Sequence, residues 1–160
     1  MNILDEIVAK TKSKLEEKKQ GLSLEELSSK IDFENLKETN FKKNLQNKAE
    51  AIIAEIKKAS PSAGIISDNF DPVLKSKEYE SFGASALSIL TEEDYFLGNI
   101  QYLKDVKATT SLPILRKDFI VDEYQIYESK LIGAECILLI ASILNDCLLY
   151  TSDAADDGLC

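Results

Sequence analysis

The 160-residue sequence contains no histidine, and this absence removes several classes of chemistry. Catalytic schemes that pair serine or cysteine with histidine need an imidazole ring. The three cysteines, Cys136, Cys147 and Cys160, show no CxxC spacing, so a metal centre is not expected either. Any proton transfer must therefore be carried out by lysine, glutamate, aspartate or tyrosine side chains.

Basic charge and long apolar runs are also scarce. The 28 acidic and 19 basic residues give a net charge of -9, which argues against a nucleic-acid or anionic-membrane partner. The longest apolar run, residues 136–144, is far shorter than the ~20 residues of a membrane span, and the N-terminus lacks a signal-peptide core. An odd number of cysteines fits reduced thiols. We therefore expect a globular cytoplasmic protein that binds neither nucleic acid nor membrane.

The first fifty residues have a helical pattern. Spaced apolar residues over residues 4–19 predict an amphipathic helix that ends at Gly21. Ser23 and Glu26 have the spacing of a capping box and predict the start of a second helix. Residues 1–50 are therefore interpreted as an N-terminal helical extension.

From Ala51 onward, short apolar runs alternate with amphipathic segments, as in βαβ units. Strands are predicted at residues 51–56, 84–90, 113–117 and 135–140, and helices at residues 72–82, 99–107 and 122–132. The strands are almost continuously apolar, as parallel strands buried on both faces are, and Gly83 and Gly133 stand where helix C-caps are expected. This pattern predicts an α/β fold and leaves a parallel barrel and an open sheet as alternatives.

Charged residues cluster where the predicted strands end. In AIIAEIKKASPSAG, residues 51–64, Glu55 and Lys57 alternate along a strand and so share one side, and SLPILRKDFIV, residues 111–121, places Lys117 similarly. Active sites of (βα)8 barrels lie at the carboxyl ends of the strands, so this placement favours the barrel and one pocket for both lysines. The acidic residues 92–94 are interpreted as a solvated loop and not as a metal site.

Four separated motifs carry a family resemblance. AEIKKASPSAG, the FDP of residues 70–72, YESFGASALSILTEEDYFLG and PILRKDFIVDEYQIYES occur in this order. Over roughly residues 1–146, including the helical extension, the sequence resembles indole-3-glycerol-phosphate synthase. The resemblance implies a (βα)8 TIM barrel that converts 1-(o-carboxyphenylamino)-1-deoxyribulose 5-phosphate into indole-3-glycerol phosphate, with loss of carbon dioxide and water. It implies no cofactor, and a small phosphosugar substrate as the partner.

The resemblance also implies roles for individual residues. Lys117 matches the general acid that protonates the ketone oxygen of the substrate. Lys57 matches a lysine that holds anionic groups and shares in proton transfer, and Glu55 matches a carboxylate that positions lysine and substrate. Ser60 matches a residue at the phosphate end. The apolar wall for the aromatic ring would consist of Pro61, Phe96, Phe119 and Leu138.

Other interpretations of these residues remain open. Glu55 could simply pair with a neighbouring lysine, and Phe96, Phe119 and Leu138 could be ordinary core residues. A different phosphosugar barrel, phosphoribosylanthranilate isomerase, is a weaker alternative, because its reaction calls for a cysteine and an aspartate where this first strand offers Glu55 and Lys57.

Length separates two further alternatives. A complete (βα)8 domain takes ~250 residues, whereas residues 51–146 correspond to the first half of a barrel, truncated after about the fourth strand. Residues 147–160, CLLYTSDAADDGLC, do not continue the helix pattern and are interpreted as a non-native tail. The later glutamate base, asparagine, arginine and glycine-serine phosphate clamp of the family would then be missing. The chain would be either part of a synthase or an inert half-barrel that self-associates through open sheet edges.

Overall fold

The protein is an α/β structure whose centre is a parallel sheet. The computed structural model describes residues 2–35 and 38–144, so the predicted tail, residues 147–160, lies outside the described residues. The helices are α1 (Ile3–Gly21), α2 (Leu24–Ser28), α3 (Phe41–Gln46), α4 (Pro72–Ser81), α5 (Ile100–Lys107) and α6 (Glu123–Leu131). The strands are β1 (Ile53–Ile56), β2 (Ala59–Ser60), β3 (Gly64–Ile65), β4 (Ala86–Leu90), β5 (Ile114–Lys117) and β6 (Cys136–Ile137). Short 3-10 turns occupy Phe33–Asn35 and Ala141–Ile143.

The helical extension forms largely as predicted. Asn2 caps α1, since its side chain accepts a hydrogen bond from the Asp5 amide and its own amide donates to the Asp5 carboxylate. The predicted capping box of Ser23 and Glu26 is confirmed at the start of α2. The predicted end of the first helix at Gly21 is confirmed, since Gly21 is the last residue of α1 and the chain leaves the helix at Leu22 with extended backbone.

The main sheet has the strand order β1-β4-β5-β6, and each neighbouring pair is parallel. Helices α4, α5 and α6 connect consecutive strands, so the predicted βαβ pattern is confirmed. Gly83 and Gly133 end α4 and α6 with φ of +84° and +92°, a backbone region that glycine occupies without strain. Strand β6 is shorter than predicted, since its ladder with β5 covers two residue pairs.

The two faces of this sheet differ, and we name them by what they contact. The helix face packs its apolar side chains against the connecting helices, and its buried members are Ala54, Ile56, Leu87, Ile89 and Ile114. The site face carries the residues of opposite parity, which include Glu55, Ser88, Leu90, Leu115 and Lys117. Strand β4 is buried at every position, whereas β1 and β5 alternate between buried and less buried residues. The expectation of burial on both faces was therefore right for β4 and wrong for β1 and β5.

A short hairpin that the sequence analysis did not predict follows β1. Strands β2 and β3 pair antiparallel, with Ala59 opposite Ile65 and Ser60 opposite Gly64. Gly64 has φ +65°, which a residue with a Cβ adopts only with strain. The Ser-Pro-Ser segment is therefore a structured turn above the carboxyl end of β1.

The N-terminal extension lies against the same end of the sheet. On α1, Lys14 forms ion pairs with Glu93 and Asp94 of the segment after β4, at 3.1 and 2.9 Å. Lys18 pairs with Glu128 of α6 at 2.6 Å. An apolar cluster of Leu15, Leu27 and Tyr124 lies beneath these pairs. Among the helices of the described residues, none is long and apolar enough to cross a bilayer.

Candidate active site

The candidate site is built around Glu55, whose carboxylate binds two lysines. Lys117 Nζ donates to Glu55 Oε2 at 2.5 Å, and Lys57 Nζ lies 2.7 Å from Glu55 Oε1. The sheet register explains this arrangement, because Glu55 is level with Ser88, while Lys117 is level with Leu90 two residues further along. Lys57 also lies two residues beyond Glu55. The two lysines therefore stand at similar height, and the carboxylate lies one step below them.

The Glu55 carboxyl has a pKa below its ordinary value. Partial burial acts to raise this pKa, but hydrogen bonds from the Lys117 and Lys57 ammonium groups, together with their charges, outweigh burial. Glu55 is therefore ionised at neutral pH and holds both ammonium groups at the site face. A carboxylate that grips two cations leaves each of them with donors free for an anionic ligand.

An open cleft adjoins this charged group. It has a volume of about 450 Å³ and lies between the end of β1, the segment from Ile66 to Asp71 and helix α4, with Glu55 and Lys57 in its wall. Tyr79 of α4 donates a hydrogen bond from its hydroxyl to the backbone carbonyl of Glu55 at 3.3 Å. Helix α4 therefore helps to fix the strand from which Glu55 projects.

Two of the predicted wall residues meet across neighbouring loops. The rings of Phe96 and Phe119 lie 6.1 Å apart between centroids at an interplanar angle of 40°. Phe96 belongs to the segment after β4 and Phe119 to the segment after β5. Aromatic pairs at this separation attract each other beyond simple burial. The structure thus joins two of the four predicted wall residues in one aromatic surface at the carboxyl ends of the strands.

The segment that carries Phe96 is ordered by Glu92. The Glu92 carboxylate accepts hydrogen bonds from the amides of Asp94, Tyr95 and Phe96 at 2.9, 2.8 and 2.9 Å. Glu92 is only 6% exposed, so the prediction of a solvated acidic loop was wrong for this residue. It failed because sequence alone does not show that three backbone amides turn towards one carboxylate. Glu93 and Asp94 do point outward and pair with Lys14.

Gly98 closes this segment, and no other residue would fit without a shift. Its amide donates to the Glu92 carbonyl at 2.6 Å, and a Cβ would stand 2.5 Å from the Leu90 carbonyl oxygen. The preceding Leu97 has φ +51°, an uncommon value for a residue with a side chain. The loop that presents Phe96 is therefore closely constrained at both ends.

The remaining predicted residues lie around this centre. Ser60 Oγ accepts a hydrogen bond from the Ala63 amide at 3.2 Å within the β2–β3 turn, and Pro61 is exposed at the tip of that turn. The turn is connected to the aromatic surface, because the Ala59 amide donates to the Phe96 carbonyl at 3.2 Å. Leu138 is half-buried just past β6, and its amide donates to the Arg116 carbonyl at 3.3 Å. Their assignment to the substrate pocket stays a prediction.

The sequence analysis missed a buried polar cluster next to this site. Arg116, Asp118 and Thr91 are all less than a tenth exposed and bind one another behind Lys117. Strand alternation could have predicted this cluster, because a charged residue next to Lys117 in a parallel strand must point to the helix face. Within residues 2–35 and 38–144, no group of three or more cysteine, aspartate or glutamate side chains could hold a metal ion.

Parallel βα units with paired charges at the carboxyl ends of their strands define a site of the (βα)8-barrel enzyme type. Sequence comparisons identify the family. The family model described as "Indole-3-glycerol phosphate synthase" matches residues 4–157, and the chain belongs to this family.

Curated relatives agree with this family. The chain is 55% identical over 144 residues to "Indole-3-glycerol phosphate synthase" of Clostridium acetobutylicum, which covers 90% of this chain and 55% of the relative. It is 48% identical over 158 residues to the protein of that name from Ruminiclostridium cellulolyticum, covering 98% of this chain and 61% of the relative. The chain thus spans a little over half the length of these relatives. The family match includes most of residues 147–160, whose non-native character stays a prediction.

Proposed function

We propose that this chain contributes the general-acid side of an indole-3-glycerol-phosphate synthase active site. The proposed substrate is 1-(o-carboxyphenylamino)-1-deoxyribulose 5-phosphate, and the products are indole-3-glycerol phosphate, carbon dioxide and water. The observation that carries this proposal is the ionised Glu55 bound to both Lys57 and Lys117 at the carboxyl ends of parallel strands. Membership of the family supports it independently.

In the proposed reaction, Lys117 protonates the ketone oxygen of the substrate. This proton makes the ketone carbon electrophilic, so that the aromatic carbon carrying the carboxylate can attack it and close the new ring. The carboxylate then leaves as carbon dioxide, and the hydroxyl formed from the ketone oxygen leaves as water. Lys117 is half-buried and has Glu55 as its partner, which keeps the ammonium group directed at the site face.

The other site residues bind and orient the substrate in this proposal. Lys57 would hold an anionic group, since its ammonium is charged and lines the open cleft. Phe96 and Phe119 would receive the aromatic ring on their paired surface, together with Pro61 and Leu138. Ser60 would donate to the phosphate from the β2–β3 turn. Glu55 would fix the spacing of the two lysines, so that the charges do not reorganise during the reaction.

A chimera provides the test. Residues 1–144 of this chain are joined to the remaining C-terminal part of the Clostridium acetobutylicum relative, of which this chain spans 55%. We call this the completed protein. Formation of indole-3-glycerol phosphate is followed by the absorbance of the indole product, and we expect steady turnover. A completed protein that has the circular dichroism of a folded α/β barrel and shows no turnover would contradict the proposal.

For the 160-residue chain by itself, we propose self-association without turnover. Among the described residues, β1 and β6 each have one neighbouring strand, so the main sheet has two edges with unpaired backbone groups. Several apolar side chains are also exposed, among them Ile53 and Ile52 of the first strand region. Size-exclusion chromatography with light scattering should give a dimer or larger species, and a well-behaved monomer would contradict this proposal.

We further propose the domain division and location that the sequence suggested. Residues 1–50 form an extension on a barrel segment, residues 51–146, and the packing of α1 and α2 on α6 supports this division. A cytoplasmic location rests on the expectation of reduced thiols. Deletion of residues 1–50 from the completed protein tests the division, because a separate extension should leave a protein that retains α/β circular dichroism.

A further inference from the structure

A buried polar cluster lies on the helix face of β5, directly behind the candidate general acid. Arg116 is 2% exposed, and each nitrogen of its guanidinium has a hydrogen-bond partner. Its Nε donates to Thr91 Oγ1 at 3.0 Å, and its Nη2 donates to Asp118 Oδ2 at 3.0 Å. Thr91 Oγ1 donates in turn to the same carboxylate oxygen at 2.5 Å. Three side chains thus form a closed ring of hydrogen bonds between the ends of β4 and β5.

This ring fixes the two residues that flank Lys117 in the sequence. Arg116 precedes Lys117 and Asp118 follows it, so both neighbours of the lysine are fixed to the same partner, Thr91. The Thr91 amide also donates to the Lys117 carbonyl at 3.1 Å. Asp118 Oδ1 accepts from the Phe119 amide at 2.9 Å, which fixes the residue that carries one ring of the aromatic surface.

Helix α6 holds the other side of the guanidinium. Arg116 Nη1 lies 2.9 Å from Glu128 Oε2 and donates to Ser129 Oγ at 3.1 Å and to the Gln125 carbonyl at 3.5 Å. A buried charge with this number of partners has little freedom to move without leaving a partner unpaired. The orientation of the segment after β5 is therefore set by the helix layer.

We propose that Arg116, Asp118 and Thr91 are positioning residues, which hold the Lys117 ammonium and the Phe119 ring in register with Glu55 and Phe96. The proposal rests on the proposed function, because the hydrogen-bond ring matters for catalysis only if Lys117 is the general acid. None of the three side chains lies on the site face, so they act through the backbone of the segment after β5. A displacement of about 1 Å at a reacting group can cost on the order of 100-fold in rate.

Thr91 allows a test with a matched pair of variants. Thr91→Val keeps the shape of the side chain and removes the hydroxyl, whereas Thr91→Ser keeps the hydroxyl and removes a methyl group. Both retain the Thr91 amide that binds the Lys117 carbonyl. In the completed protein, we expect Thr91→Val to lower kcat by about 10- to 100-fold with KM changed less than threefold. Thr91→Ser should keep kcat within about threefold.

Hydrogen exchange supplies a readout that does not depend on activity. Amides of residues 117–121 should exchange faster in Thr91→Val than in Thr91→Ser or the unmodified completed protein. If Thr91→Val does not fold, Asp118→Asn takes its place, because asparagine keeps an acceptor for the Phe119 amide and removes the charge facing Arg116. That variant should also lower kcat and speed exchange.

Three results would overturn the proposal. One is a Thr91→Val protein with unchanged kcat, whether or not exchange is faster, since the ring would then not serve the chemistry. Another is a Thr91→Ser protein as impaired as Thr91→Val, which would indicate packing and not hydrogen bonding. The third is an unmodified completed protein that folds but has no activity, which would reject the synthase function and this proposal together. If the unmodified completed protein is active and Thr91→Val is equally active, only this proposal is rejected.

Discussion

Lys117 and Arg116 are adjacent cations on one strand, and the structure treats them in opposite ways. The Lys117 side chain is 39% exposed and has one carboxylate partner, Glu55. The Arg116 side chain is 2% exposed and is surrounded by partners from three segments. Strand parity alone sends the first to the site face and the second to the helix face.

This comparison separates a cation that can react with a ligand from a cation that stabilises the surrounding structure. An ammonium on a half-covered face can approach a ligand, exchange its partner and transfer a proton. A buried guanidinium bound by several partners can do none of these, but its loss removes a cation from the Asp118 and Glu128 carboxylates. Substitution of Lys117 should therefore act on turnover with little effect on stability, whereas substitution of Arg116 should also lower stability.

The largest effect is expected for Lys117→Ala in the completed protein. Removal of the proposed general acid should lower kcat by about 100- to 10,000-fold, while the thermal unfolding midpoint changes little, because Lys117 is partly exposed. Steady-state turnover and differential scanning calorimetry measure the two quantities.

Lys104→Ala is the matched control for this variant, since Lys104 is exposed on α5 and takes no part in the site. It should retain full turnover. Turnover within twofold of the unmodified protein in Lys117→Ala would remove the general-acid assignment, and a large drop in the unfolding midpoint would mean that the site face also holds the fold.

Arg116→Met should lower stability, in addition to the loss of kcat expected for a positioning residue. The variant keeps an apolar stem but removes the guanidinium from the buried Asp118 carboxylate and from the mostly buried Glu128 carboxylate. Breaking a buried charge cluster in this way typically costs about 3–5 kcal/mol in the free energy of unfolding. Urea denaturation of the completed protein measures this loss. A cost below about 1 kcal/mol would show that the cluster relaxes or admits water. The two faces would then differ less in energy than their burial suggests.

Much of this arrangement could be predicted from sequence, because it follows from local patterns. Alternation placed Glu55 and Lys57 on one side, and the parallel pattern placed Lys117 beside them; the structure joins all three. Gly83 and Gly133 marked helix ends because their backbone conformation is one that other residues avoid.

What sequence reasoning missed depends on contacts between distant segments. Glu92 looked like a surface residue, and only the fold turns three amides towards it. Arg116 and Asp118 stood beside the predicted acid in the motif, but their ring closes through Thr91, 25 residues before Arg116. Charge was visible in the sequence, whereas burial and partner were not, since both are decided by tertiary packing.

Glu55→Gln should reveal the charge coupling on the site face through pH. The folded-state pKa of Glu55 is lowered, so its ionisation stabilises the fold above the ordinary carboxyl pKa of about 4.3, and this stabilisation is lost as pH falls through the folded value. At pH 7 we expect the variant of the completed protein to be less stable by about 1 kcal/mol. The difference should stay constant from pH 7 down to that ordinary value and shrink as pH falls below it towards 3, as measured by urea denaturation at each pH. A difference that is constant across this range would contradict the coupling of Glu55 to the lysines.

The smallest effect is expected for Lys18→Met. This variant removes the more exposed of the two cations that bind the Glu128 carboxylate, whereas Arg116→Met removes the buried one. Glu128 binds Lys18 through Oε1 at 2.6 Å and Arg116 through Oε2 at 2.9 Å, but the Lys18 side chain is 42% exposed. Water can replace an exposed ammonium, so we expect a cost of about 0.2–1 kcal/mol in urea denaturation of the completed protein, and less at high salt. A cost that equals that of Arg116→Met would mean that α1 is part of the buried cluster. A small cost would show that partner burial, and not the charge pair itself, decides what each cation on Glu128 contributes.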